Sequence, residues 1–115
     1  MHEVGLMQRA LDIALEQAVE HGAQHIHGIT FRVGAESGVV PEVIEMAFAI
    51  ATQGTLAAGA QLAIEHVPLL CFCHSCDQEF QPVDGDLLHT CTHCQRLGAE
   101  VRRGREFEIA SIELS

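Results

Sequence analysis

The sequence predicts an α+β fold, with two helices on a small mixed or antiparallel three-stranded sheet and a cysteine-rich module inserted ahead of the last strand. Three observations predict it. Apolar residues recur at helical spacing over residues 4–21 and again from Pro41 to about Thr52. They alternate at strand spacing in HIHGITFRVG, in QLAIEHV and in the C-terminal stretch. All five cysteines lie between residues 71 and 94. The last strand has to return to the first sheet, because Ile112 and Leu114 need a core larger than a short cysteine module can supply.

In the first helix Val4, Met7, Leu11, Ala14, Leu15 and Ala18 form one stripe, opposite Arg9, Asp12, Glu16 and Glu20, and Gly22 is its stop. Ile29, Phe31 and Val33 then face one way and Thr30 and Arg32 the other, the pattern of a half-buried strand. GAESG is a turn. Pro41 suits the first turn of the second helix, whose buried face is Val43, Ile44, Ala47, Phe48 and Ala51. QGTLAAGA breaks that pattern as a loop or a short helical turn. QLAIEHV turns Leu62 and Ile64 inward and ends at Pro68. The final segment is expected to form a hairpin about Gly104, with Arg102, Arg103 and Arg105 paired to Glu100, Glu106 and Glu108. Its apolar phase shifts between Phe107/Ile109 and Ile112/Leu114, which calls for a bulge or a bend between two sheets. The domain reading is residues 1–68 with 105–115 as one α+β unit and 69–104 as the inserted module.

Composition narrows the function. Sixteen acids face six arginines and no lysine, a net charge of −10. Phosphate backbones are held by Lys and Arg, and the one arginine cluster is interleaved with Glu100, Glu106 and Glu108, so no nucleic-acid partner is expected. No apolar run approaches the ~18 residues that span a bilayer. With an acid at position 3 and no basic n-region there is no signal-peptide pattern, and a cytosolic location is expected. No Ser-His-Asp set, phosphate-cradling glycine loop or split carboxylate pair supports catalysis.

In a reducing compartment, clustered cysteines are metal ligands or catalytic thiols before they are disulfides. Cys73-His-Ser-Cys76 and Cys91-Thr-His-Cys94 form two C-x-x-C knuckles separated by 14 residues. Two such knuckles complete a tetrahedron of thiolates, the coordination of a structural zinc ribbon. So short a segment has few bulky apolar anchors, and metal binding supplies its folding free energy. Cys71 is left over, as an edge thiol near the cluster or a substitute for Cys73. His74, His89 and His93 are expected to face solvent, with ligand exchange or tuning of the site as the alternative. His25 and His27 flank the first strand on one face and are expected to be exposed.

A closed zinc site does no chemistry, which turns attention to Met1-His2-Glu3. Two readings stand for it: a solvated terminus, or a chelate. A free α-amine, the His2 amide and imidazole, and the Glu3 amide can wrap one small cation, and Ni(II) favours such planar nitrogen donors.

MHE followed by a helix with QRAL, the strand FRVGAESGVV with PE after it, the paired C-x-x-C knuckles and the terminal GREFEIASIEL occur in this order along the whole chain. Together they resemble the HypA/HybF family of [NiFe]-hydrogenase maturation proteins. The resemblance implies a nickel metallochaperone without enzymatic turnover. It would take Ni(II) at His2, with Glu3 beside it, and hold zinc at Cys73, Cys76, Cys91 and Cys94. Its implied partners are a nickel-binding maturation GTPase and the hydrogenase large subunit, and a monomer or weak homodimer is expected. Where relatives often have C-P-x-C as the second knuckle this chain has Cys91-Thr-His-Cys94, leaving the role of His93 open. Glu36 and Glu42 are the further candidates for nickel ligands. The alternative is a zinc-ribbon adaptor that binds a protein or nucleic-acid partner and handles no nickel.

Overall fold

A computed structural model describes the backbone of residues 2–115 and the side chains of residues 3–115. The order is α1 (His2–Glu20), β1 (Ile26–Gly34), α2 (Pro41–Ala51), β2 (Gln61–Val67), β3 (Leu70–Cys73), β4 (Gln78–Phe80), β5 (Glu100–Arg103) and β6 (Phe107–Leu114). One three-stranded sheet has the order β2-β1-β6 and the other β4-β3-β5. The first is mixed, because β1 runs parallel to β2 and antiparallel to β6. The molecule is elongated, 54 × 27 × 17 Å.

Met7, Leu11, Ala14 and Ala18 put a fully buried stripe of α1 against the sheet. Val4, expected in that stripe, is 49% exposed. Gly22 ends the helix with φ 68°, and the Ala23 amide reaches back to the Ala18 carbonyl at 2.9 Å. That is the left-handed glycine cap, which satisfies carbonyls the helix itself leaves open. Pro41 opens α2, and Ile44, Ala47 and Phe48 face the core. Residues 52–59 form consecutive turns with a bend at Thr55. The core centres on Phe31, which stacks on Phe107 at 5.3 Å and meets the edge of Phe48 at 6.4 Å. On the uncovered face Arg32 bridges Glu65 at 3.4 Å and Glu108 at 2.9 Å.

The C-terminal segment is not a hairpin. β5 pairs with β3 and β6 pairs with β1, so the chain passes from one sheet to the other at Gly104. Gly104 has φ 116°, and a Cβ there would stand 2.8 Å from the Leu69 Cα, which is why the crossing falls at a glycine. The expected charge pairing changes with it. Arg102 does pair with Glu100, but Glu108 serves Arg32, Arg105 approaches Glu36 at 3.6 Å, and Glu106 accepts the Gly104 amide at 2.8 Å. The phase shift in β6 is a bulge. Thr30 faces Ser111 while Phe31 faces Ile109, leaving Ala110 as the extra residue.

Candidate metal centre

The second sheet exists to hold two knuckles together. β3 delivers Cys73, the turn between β3 and β4 carries Cys76, and the loop before β5 returns Cys91 and Cys94. The ligand atoms of these four cysteines lie within 4.8 Å of one another, the one such group of three or more His, Cys, Asp or Glu among the described residues. The Sγ separations are 3.7 Å for Cys73–Cys94 and 4.0 Å for Cys76–Cys91. A tetrahedron with Zn–S bonds of about 2.3 Å has edges of about 3.8 Å, so the donor set fits zinc in both chemistry and size.

Backbone amides prepare the sulfurs. The His93 and Cys94 N–H groups point at the Cys91 Sγ at 3.4 and 3.5 Å. The Cys94 amide, with that of His93 assisting against burial, lowers the Cys91 thiol to about 6. Cys76 goes the other way, pushed up to about 12 by its contact with the Cys94 thiol, by burial and by the Cys73 and Cys91 sulfurs. Four thiolates in one small volume repel, and a bound divalent cation supplies the charge that lets them coexist. Each knuckle ends on a left-handed residue, Asp77 at φ 55° and Gln95 at φ 61°. The two halves of the cage are therefore built alike.

The neighbours of the cage are arranged differently from expectation in two places. Cys71 is no edge thiol: it is fully buried on the central strand, opposite Phe80 and Val101, and burial raises its pKa. It belongs to the small core with Cys73, Phe80 and Cys91, outside the four-sulfur group. His89 does not face solvent either. Its side chain is 15% exposed and its Nε2 lies 2.8 Å from the Glu36 carboxylate, joining the cysteine module to the loop after β1. His74 is exposed and meets Glu100 at 3.0 Å, and His93 is exposed.

Of the nickel candidates, Met1 and the side chain of His2 lie outside the described residues. Glu3 is half-buried in the first turn of α1. Glu36 is engaged with His89 and Arg105, and Glu42 is exposed at the start of α2. Sequence reasoning missed two supports of the cage. Asp86 accepts the Leu88 amide at 3.0 Å and the Thr90 amide at 2.9 Å, fixing the turn that leads into Cys91. An aspartate directly after the glycine of an Asp-Gly pair, with amides two and four residues on, was its available signal. The Glu36–His89 bridge spans 53 residues and left no local trace.

The description "Hydrogenase/urease nickel incorporation, metallochaperone, hypA" belongs to the family model that matches residues 1–114. The chain is 44% identical over 114 residues to the hydrogenase maturation factor HypA of Picosynechococcus sp., covering 99% of both chains. It is 37% identical over 113 residues to HypA of Chloroflexus aurantiacus, covering 98% of both. With the hydrogenase maturation factor HybF of Salmonella typhimurium it shares 35% over 114 residues, 99% of both. Two solution structures share the fold. A HypA protein matches with TM-score 0.76 at 22% identity over 100% of this chain and 97% of that one. The Ni metallochaperone HypA from Helicobacter pylori matches with TM-score 0.71 at 20% identity over 97% and 96%. No described helix is long and apolar enough to cross a membrane. The chain belongs to the HypA family of nickel-incorporation metallochaperones for hydrogenase maturation, a family of metal carriers and not of catalysts.

Proposed function

We propose that this chain takes up Ni(II) at its amino end, through His2 with Glu3 beside it, and passes the ion on for insertion into the [NiFe]-hydrogenase large subunit. A nickel-binding maturation GTPase is the partner in that transfer. Cys73, Cys76, Cys91 and Cys94 hold a structural zinc and take no part in the cargo's coordination. Residues 1–68 with 105–115 act as the nickel-binding unit and 69–104 as the zinc unit.

The observation that carries the reading is the family match that begins at residue 1, so that Met1-His2-Glu3 falls within it. Local structure supports it. α1 begins at His2, and the first four amides of a helix have no intrahelical acceptor, so the amides the chelate needs are not already spent. Gly5 lies in the same turn and lowers the cost of unwinding it. A groove lined by Leu6, Arg9, Ala10, Ile13, Phe107 and Glu108 runs between the body of α1 and the start of β6, beginning one turn beyond Met1-His2-Glu3. The two metals then have separate tasks. Four thiolates hold zinc with roughly 10–16 kcal/mol. A micromolar nickel site corresponds to about 8 kcal/mol, an amount a partner can outcompete.

The test is a Ni(II) titration of zinc-loaded protein, of His2→Ala and of protein with an acetylated amino terminus. The expected result is the absorption of a low-spin planar complex in the first and its loss in the other two. Equal nickel uptake by all three overturns the reading and favours the zinc-ribbon adaptor.

A further inference from the structure

The sheet end remote from the zinc module carries a pair of imidazoles that nickel uptake at the amino end does not use. His25 stands just before β1 and His27 is its second residue, and both are exposed. Side chains two apart on a strand start about 6.6 Å from each other. Here the ring centroids are 4.7 Å apart and tilted by 54°, so the rings lean together. We propose that His25 and His27 form a surface chelate for a borderline divalent transition ion, Ni(II) or Zn(II), distinct from the cysteine cage.

Three features make the pair a built arrangement. First, its backbone is fixed. His25 and Ser115 exchange both backbone hydrogen bonds, at 3.1 and 3.0 Å, and the Ile26 amide donates to the Leu56 carbonyl at 2.9 Å. Secondly, the pairing of β1 with β6 slips between Ile26 and Gly28, so Ile26 and Ile29 are both buried while His27 turns outward. Thirdly, His27 Nε2 is hydrogen-bonded to the Ser115 hydroxyl. In the tautomer whose Nε2–H donates to that hydroxyl, Nδ1 keeps the lone pair a metal takes, which is how ligating histidines are commonly oriented. Neutral imidazole suits nickel, copper and zinc. A site with metal–nitrogen bonds of about 2.0–2.1 Å needs donor atoms about 3 Å apart, within reach of rings already in contact. The Glu113 carboxylate, 3.6 Å from where a Cβ on Gly28 would stand, adds negative charge on the same face, and the chain as a whole carries −10.

The experiment uses zinc-loaded full-length protein carrying His2→Ala, with Ni(II) alone added and imidazole nitrogens followed by NMR. Because His2 is absent, its outcome is independent of nickel uptake at the amino end. The His25 and His27 signals should respond together, at Ni(II) concentrations at least tenfold below those that move His21 and His66, which are exposed single histidines. His25→Ala should weaken the His27 response at least tenfold, and His27→Ala the converse. A common response of all four rings, or a surviving ring unaffected by loss of its neighbour, overturns the proposal.

Discussion

Gln95 sits where a glycine would be at ease. Its φ of 61° places it in the left-handed region directly after the second knuckle, as φ 55° places Asp77 after the first. Aspartate tolerates that region by its short polar side chain, whereas glutamine gains nothing there except an exposed 3.3 Å bond to the Thr92 carbonyl. Left-handed backbone costs an ordinary residue about 1–2 kcal/mol, and glycine returns about 0.5–1 of that through its larger unfolded-state entropy. Gln95→Gly should therefore stabilise the loaded knuckle by about 0.5–1 kcal/mol, a roughly two- to fivefold gain in zinc retention against a competing chelator. Asp77→Gly should gain less. Weaker retention in Gln95→Gly would show that the position carries no strain. At this scale the four ligands were legible in the sequence because a C-x-x-C spacing is itself the geometry. The left-handed residues were not, since neither is the glycine or asparagine that marks such a turn. Cys71 was misplaced because a lone thiol beside a ligand looks the same in sequence whether it lies at an edge or in a core.

Elements were legible wherever one periodicity ran unbroken. Both helices and the inward set Ile29, Phe31 and Val33 emerged from spacing alone, and the mixed sheet follows from α2 linking the parallel strands β1 and β2. The C-terminal strand kept its alternatives because a phase shift has two causes, and pairing decides for the bulge at Ala110. This has a testable consequence. With Ala110 deleted, Phe107, Ile109, Ile112 and Leu114 alternate without interruption and keep their partners Val33, Phe31, Ile29 and Ile26. The deletion variant should fold with the same core and a stability within about 1 kcal/mol of the parent, read by denaturant unfolding and by the Phe31 ring signals. An unfolded product would mean that the bulge's added twist is itself required. The hairpin about Gly104 failed for a related reason: two strands around a glycine look alike whether they pair with each other or with separate sheets.

At the scale of the molecule, the two sheets meet through a junction made almost entirely of backbone. The Gly34 amide donates to the Glu106 carbonyl at 2.8 Å, Ala35 to Val67 at 2.9 Å and Glu36 to Gly104 at 2.6 Å. The loop after β1 thus grips both strands that cross between the modules. The Glu36 carboxylate extends the grip to His89 on the zinc side and to Arg105. There is no room in it: a Cβ on Gly34 would fall 2.2 Å from the Gly104 carbonyl carbon and oxygen, and backbone cannot swing aside as a side chain can. Gly34→Ala should therefore separate the two crossings, at a cost of about 1–3 kcal/mol by the overpacking measure. Each module has its own core, so zinc content and the α1–sheet packing should persist while residual dipolar couplings report a changed angle between the sheets. Gly28→Ala is the control, because its Cβ meets only ordinary contacts at 3.5–3.6 Å. Glu36→Gln should act in the same direction as Gly34→Ala but more weakly, loosening the angle without forcing it. If Gly34→Ala leaves the couplings of both modules on one common alignment frame, the backbone junction does not set their orientation.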